Sequence, residues 1–341
     1  MNQVVLLFGG TSEEKLVSTA SAQNIVKYLK NPSTWFISSK GEVHETTLDE
    51  LVNHQNPFKN LLQPRSPSFA KQLSDAIPKL KDKTIFIGLH GTEGEDGKFQ
   101  EMFEKNKIAF TGSGSKSSAL CFNKISTKEI AKSAGLPLAE QLYLPRETQS
   151  EAQALQEKKL RDFFEKKKKI VVKPVASGSS YGLHIVTSPN ILESAIKDLR
   201  RYDMMAEEFI EGRELTVGVF NSHREIRPLP ASEVVLEQGS SFDYEGKYLG
   251  RGTKELTPAP ISDEEMKKCQ QLAIQSHTLF SCYGYSRTDM ILTSRGPVFL
   301  ETNTLPGMTK ASFFPQQLEA AHLPMQGFVD EMLKLAEARY S

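Results

Sequence analysis

The run CYGYSRTDMILTSRGPVFLETNTLPGMT, from Cys282 to Thr309, constrains the fold of this chain more than any other stretch. Two β-type segments, Arg287–Leu292 and Pro297–Thr302, flank the turn residues Thr293 to Gly296, so the chain doubles back here as a hairpin. Alternation along a strand places Arg287, Asp289, Glu301 and, one step on, Asn303 near one end of the pair. Asp, Glu and Asn offer hard oxygen ligands that suit Mg²⁺. Two carboxylates and an amide are more than a single Mg²⁺ takes from protein as a rule, so a nucleotide bridged by two ions is one reading. A surface hairpin with solvated charges fits the local pattern equally.

The start of the chain supplies a frame. Val4 to Phe8 is a continuous apolar run, as a parallel strand buried on both faces requires. Gly9, Gly10, Thr11 and Ser12 follow, and then a helical pattern to about Leu29. Strand, glycine turn and helix open a doubly wound α/β domain whose helix N-terminus can hold an anion or a polar ligand. The spacing is not that of a dinucleotide fingerprint. Glu13 and Glu14 fall in the expected first helical turn, where carboxylates favour the helix dipole. A short strand is expected near Trp35–Ser38, a helix over Phe69–Leu80 and a buried strand over Thr84–Leu89. That strand runs directly into HGTEGEDG, His90 to Gly97, and ligands in open α/β sheets sit beyond the carboxyl ends of strands. A polar loop with Asp96 as a cap explains the same residues. Ile108–Thr111 reads as another strand, and Ser115–Ser133 as one helix carrying Lys124 and Lys128 on one face.

The middle of the chain brings cations. Glu151–Lys169 is a charged helix, and its Lys166–Lys169 run reads as a solvated end. Ile170 to Pro174 is a strand with Lys173 inside it, and a lysine there needs an anionic partner or must snorkel. Small and polar residues follow from Ala176 to Gly182, in a loop able to close over phosphates with its N–H groups and hydroxyls; a flexible hairpin has the same composition. Met204–Phe209 and Glu214–Phe220 are expected as two strands about a short turn. Leu236–Thr257 has no helical period, and an irregular segment of that length is usually functional or disordered. Ser262–Leu279 and Pro324–Ala338 are clear helices.

Composition removes several classes of function. Lys plus Arg and Asp plus Glu both number 42, so the formal net charge is zero, which argues against a general nucleic-acid or anionic-membrane binder. The three cysteines form no CxxC, which fits a reducing cytoplasm and no structural zinc. No apolar run approaches a membrane span. With 341 residues, two or three domains are expected.

Taken in order, seven segments carry a resemblance: LFGGTSEEKLVS, LHGTEGEDG, FTGSGSKSSALCFNK, VVKPVASGSSYG, EEFIEGRELTVGV, FDYEGKY, and SRTDM with FLETNTLPGMT. The chain resembles the D-alanine–D-alanine ligase family, ATP-grasp enzymes of peptidoglycan precursor synthesis, from Val4 to Pro315 apart from residues 31–82. The resemblance implies an α/β chain: a Rossmann-like domain over 1–112, followed by a two-lobed ATP-grasp fold with a central lobe over 113–211 and a metal-carrying lobe over 212–341. It implies ATP and D-alanine as substrates, two Mg²⁺ or Mn²⁺ ions, K⁺ as an activator, a cytoplasmic location and a homodimer.

Position by position, the resemblance puts Lys124 and Lys173 on the α- and β-phosphates and makes Gly178–Gly182, with Ser179 and Ser180, the phosphate lid. It sets the backbone of Glu207, Glu208, Phe209 and Ile210 against adenine, Glu214 on the ribose and Lys247 near the transferred phosphate. Asp289, Glu301 and Asn303 become the two-metal cage. Glu14 is expected on the ammonium of the first D-alanine, His90 near the carboxylates, and Arg287 with the Gly307 N–H on the acyl phosphate and the oxyanion that follows. Ser312 is expected on the second carboxylate, and Tyr248 in a triad with Ser179 and Glu14 that shuts the lid. The tyrosine at 248 implies an amine rather than a hydroxyl acid as second substrate. The sequence departs from the family pattern at Leu16, Ser177, Phe242 and Phe313, which leaves lid behaviour and the choice between D-alanine and D-serine open. A D-alanine–D-serine ligase and a non-catalytic nucleotide-binding relative are the alternatives.

Overall fold

The computed structural model describes residues 2–176, 182–222, 225–236 and 253–340. Three sheets follow one another along the chain. The first has the order β3-β2-β1-β4-β5, with β1 Gln3–Gly9, β2 Ser33–Ile37, β3 Val43–Thr46, β4 Lys83–Ile87 and β5 Ala109–Phe110. Its strands are parallel except for β3 at the edge. Val5, Leu6, Leu7 and Phe8 are almost wholly buried, because a central strand of such a sheet is covered on both faces. The closing helix Met325–Ala338 packs on this sheet and shares its core through Phe328, Met332 and Leu333.

The second sheet has the order β6-β9-β7-β8, with β6 Gln141–Leu144, β7 Ile170–Pro174, β8 His184–Val186 and β9 Met204–Glu208. The third has the order β13-β12-β10-β14-β15, with β11 beside β10. Its strands are β10 Arg213–Asn221, β11 Ile226–Pro228, β12 Ser232–Leu236, β13 Thr253–Leu256, β14 Tyr285–Thr293 and β15 Gly296–Asn303. Neighbouring strands run antiparallel throughout both sheets, and each sheet has its own apolar core.

Several expectations are corrected. The strands β9 and β10 are no hairpin: they belong to different sheets, and residues 209–212 are the crossing between them. Gly212 is needed at this crossing, because a Cβ there would lie 2.5 Å from the Leu292 carbonyl oxygen. The expected helix Ser115–Ser133 is two helices, Ser115–Phe122 and Lys124–Ser133, broken where extended Asn123 caps the second by accepting from the Ile125 and Ser126 amides. The helix expected over Phe69–Leu80 shrinks to Leu73–Ala76 with a 3₁₀ turn at Ile77–Leu80, where Pro78 lacks the N–H a longer helix would use. The first helix begins at Lys15, so Glu14 is its cap residue and Glu13 lies outside it. The segment expected to be irregular from Leu236 ends in a strand, β13, which pairs with β12. Lys166 and Lys167 are not a free solvated end, since both reach Glu140 and Lys167 also reaches Glu208. Among the described residues no helix is long and apolar enough to cross a membrane.

Candidate active site

The hairpin β14–β15 pairs Arg287 with Asn303 and Asp289 with Glu301, so the four side chains share one end and one face, as alternation predicts. The register slips by one residue directly beyond Asp289 and Glu301, a bulge that re-aims the end of the hairpin. Arg287 grips Asp289 through two hydrogen bonds, Nε to Oδ1 at 2.8 Å and Nη2 to Oδ2 at 2.9 Å. Thr216, opposite Asp289 on β10, donates to Oδ1 at 2.5 Å. Asn303 Oδ1 accepts from the Leu305 amide, which turns the chain out of the strand. The donor set of Asp289, Glu301 and Asn303 is all oxygen, half-buried and open to the cleft, and so fits Mg²⁺ with phosphate oxygens completing the shell. Among the described residues, no group of three or more His, Cys, Asp or Glu forms a self-sufficient metal cage.

Across the cleft stand the lysines. Lys124 opens the helix Lys124–Ser133; its amide donates to the Val175 carbonyl, and its Nζ lies 3.5 Å from Glu301 Oε2. Lys173 on β7 reaches Glu207 Oε2 at 2.7 Å. The other oxygen of Glu207 is taken by Lys128, one helical turn after Lys124 and fully buried. Burial alone would push the Glu207 carboxyl up, but Lys173 and Lys128 outweigh it and hold it down at about 2. Burial pulls Lys128 down, whereas Lys173 is raised: its burial is overcome by Glu207 and Glu301. In the run expected against adenine, the Glu208 amide donates to Glu140 O and the Phe209 amide to Lys169 O, so these two N–H groups are spent on the sheet. Glu208 pairs with Lys167, and Lys169 Nζ sits 3.4 Å over the Phe209 ring. Glu214 lines the cleft from β10.

The opposite end is built from the first domain. Ser12 Oγ accepts from the Glu14 amide and donates to His90 O, which ties the first helix to the HGTEGEDG loop. His90 is buried, and its Nδ1 lies 3.0 Å from Leu305 O. A carbonyl only accepts, so Nδ1 carries the proton, and Nε2 takes the Ser21 hydroxyl at 2.8 Å. Burial lowers the pKa of His90, in keeping with this neutral tautomer. Ser21 also accepts from the Met308 amide, and Asn24 donates to Met308 O. The segment around Gly307 is thus pinned on both sides by the first domain. A Cβ at Gly307 would stand 2.8 Å from Ser312 Oγ, so glycine lets the two approach. Ser312 Oγ accepts from the Thr309 amide and sits at the start of the helix Phe313–Ala320. Behind Glu14 lies Glu95, whose carboxyl is pushed up to about 8 by burial and by Glu14, although the Gly91 amide donates to it.

One cleft is lined by Glu14, His90, Lys124, Glu214, Arg287 and Asp289, and by Glu301, Asn303, Gly307 and Ser312 as well. The fold therefore brings together residues from all parts of the chain. Lys173, Glu207, Glu208, Phe209 and Ile210 belong to the second sheet or its exit rather than to this lining. Ser179, Ser180, Lys247 and Tyr248, with Ser177 and Phe242, lie outside the described residues. Glu95 also lines the cleft, one of the acidic residues of the HGTEGEDG loop that its place beyond a strand end made site candidates, whereas Glu255 and Phe58 were not foreseen. Lys128 was seen on the face of Lys124, yet its counter-ion was not, because Glu207 is 79 residues away. Phe58 comes from a stretch without any periodic signal.

Two antiparallel sheets set around a cleft, behind a parallel-sheet domain, make the ATP-grasp class of fold. The model of the D-ala D-ala ligase C-terminus matches residues 130–334, and that of the N-terminus matches residues 3–113. The chain is 32% identical to a D-alanine–D-alanine ligase of Leptospira interrogans over 99% of both chains. It is 33% identical to one of Syntrophobacter fumaroxidans, over 98% of this chain and 97% of the relative. Among solved structures it is similar to the VanG D-Ala:D-Ser ligase of Enterococcus faecalis, with a TM-score of 0.81 and 28% identity over 98% of this chain and all of the other. It is also similar to the D-alanine–D-alanine ligase of Coxiella burnetii, with a TM-score of 0.80 and 26% identity over 99% of this chain and 94% of that one. The chain belongs to the D-alanine–D-alanine ligase family.

Proposed function

We propose that this protein joins two D-alanines into D-alanyl-D-alanine at the expense of ATP, through a D-alanyl phosphate. The observation that carries the reading is the in-register set Arg287, Asp289, Glu301 and Asn303, facing Lys124 on one side and Glu14 and Gly307 on the other. Lys124 and Lys173 hold the α- and β-phosphates, the crossing at Glu207–Ile210 meets the base, and Glu214 meets the ribose. Asp289, Glu301 and Asn303 would hold two Mg²⁺ or Mn²⁺ ions, whose charge neutralises the phosphates during transfer. Glu14 takes the ammonium of the first D-alanine by opposite charge. The carboxylate of that D-alanine then lies near Arg287 and accepts the γ-phosphoryl group, with ADP as leaving group. The second amino acid, with its carboxylate at Ser312, attacks as a free amine. Arg287 and the Gly307 N–H stabilise the oxyanion until phosphate leaves. Neutral His90 does no proton transfer in this scheme; it orients the Leu305–Met308 segment and hence the Gly307 N–H. Ser179, Ser180, Lys247 and Tyr248 complete the lid in the same reading, which would exclude water from the acyl phosphate.

Incubation with Mg-ATP, K⁺ and D-alanine should release ADP and phosphate together with the dipeptide, read by mass spectrometry. Folded protein that releases no phosphate in response to D-alanine would overturn the reading.

A further inference from the structure

Glu255 is a cleft carboxylate that the proposed chemistry leaves without a task. It stands on β13 at the end of the cross-strand row Glu214–Val234–Glu255, so all three side chains face one way, and all three line the cleft. Arg287, Ser312 and Phe313 line the same space. Glu255 is half-buried, and among the described residues its one hydrogen bond comes from Gln316, Nε2 to Oε2 at 3.0 Å. The same amide nitrogen donates to Ala311 O at 2.6 Å. Gln316 is therefore strapped across the first turn of the helix Phe313–Ala320, and it ties Glu255 to the segment that carries Ser312. One carboxylate oxygen is spent on this strap. Among the described residues the other oxygen takes no hydrogen bond; Val234 and Phe313 line the same cleft, and Arg287 is close enough to act on the carboxyl by its charge.

We propose that Glu255, held by Gln316, is a specificity-determining residue of the second amino-acid site, accepting a hydrogen bond from a hydroxyl on the β-carbon of that amino acid. The inference rests on the ligase reading and names a substrate class for it: small D-amino acids with a hydroxyl, such as D-serine, besides D-alanine. An amino acid anchored by its carboxylate at Ser312 is short, so its β-substituent stays near the cleft wall to which Glu255 and Phe313 contribute. A hydroxyl there gives a half-buried carboxylate a second donor, and hydrogen bonds to charged acceptors are the stronger ones. A methyl group of the same size leaves that oxygen facing apolar surface, and sites built around a hydrogen bond reject such an isostere.

The test offers D-alanine for the first position and lets D-serine compete with D-2-aminobutyrate, which has a methyl in place of the hydroxyl, for the second. Mixed dipeptides are counted by mass spectrometry. Wild type should favour the serine product by about tenfold or more. Glu255→Leu should erase or invert the ratio, and Glu255→Gln, which keeps an acceptor oxygen, should retain part of it. Because the readout is a ratio of products from one enzyme sample, a loss of folded protein does not move it. If Glu255→Leu does not fold, Gln316→Leu should lower the same ratio by releasing the strap. A wild type that uses both acids equally, or a Glu255→Leu ratio unchanged from wild type, would overturn the assignment while D-alanyl-D-alanine is still made. Absence of D-alanine-dependent phosphate release would overturn the ligase reading along with it.

Discussion

On the second sheet, outside the cleft lining, Glu207 lies between Lys128 and Lys173; within the lining Glu95 lies near Glu14 and beside His90. All of these groups are withdrawn from water, and desolvation is the largest influence on both Glu207 and Glu95. The outcomes are opposite. Two lysines hold the Glu207 carboxyl at about 2, so it is ionised throughout the physiological range. Burial, with the neighbouring Glu14 carboxylate adding to it, drives Glu95 up to about 8, so it is mostly protonated at neutral pH. Burial sets only the size of the electrostatic problem, and the sign of the nearest charge decides how it is solved. In the proposed reading Lys173 and Lys124, paired here with Glu207 and Glu301, are the cations offered to phosphate. At the other end a protonated Glu95 lowers the negative charge around Glu14, the residue proposed above for the substrate ammonium.

The largest effect is expected from breaking the paired end. Glu207→Ala leaves Lys128 and Lys173 buried without their shared counter-charge, and loss of such a partner costs about 3–5 kcal/mol. Urea unfolding at neutral pH measures it; a loss no greater than that of a surface substitution would show that the lysines find other relief. In wild type this cluster follows the rule for a depressed carboxyl. Its stabilisation is present above the unfolded value near 4.5 and is lost as pH falls through that value toward about 2.

Next comes the phosphate contact itself. Lys173→Ala should raise the KM for ATP by roughly ten- to a hundredfold, the worth of a charged hydrogen bond, with little change in the KM for D-alanine. An effect confined to D-alanine would contradict the placement of the nucleotide at the paired end.

The smallest effect sharpens the other side. Glu95→Gln keeps an oxygen for the Gly91 amide and removes the acid. Because Glu95 holds its proton to about 8 when folded and to about 4.5 when unfolded, wild type loses stability as pH rises across that window. The variant is spared that loss, so its melting temperature should gain on wild type by a few degrees between pH 5 and 8. Buried neutral His90 contributes the opposite slope below its ordinary value, and comparing the two proteins at each pH removes it to first order. A constant difference in melting temperature across the window would mean that Glu95 is ionised in the fold.

Much of the fold was legible because it is written locally. The apolar run Val4–Phe8, the turn after it and the alternation in Arg287–Asn303 each need only a few neighbouring residues, and the structure has β1 and the β14–β15 hairpin in those places. The failures have local causes too. Asn123 broke an expected helix by capping a new one, and Gly212 marked a crossing between sheets where two strands in sequence suggested a hairpin. The site was legible as a set of residue types, but not as a set of contacts. Glu95 was one acidic residue among several in a loop, and Glu255 stood in a stretch with no period at all.

By itself the sequence determined that Asp289, Glu301 and Asn303 share one end of a hairpin and that a lysine sits inside a strand, since that follows from residue chemistry and strand alternation; the phosphate and ammonium roles came from the resemblance to the family. Only the tertiary structure decided which side chains are charged and which face one another. Those depend on partners far apart in the chain, Lys128 with Glu207 and His90 with Leu305, and on burial, which no local pattern encodes.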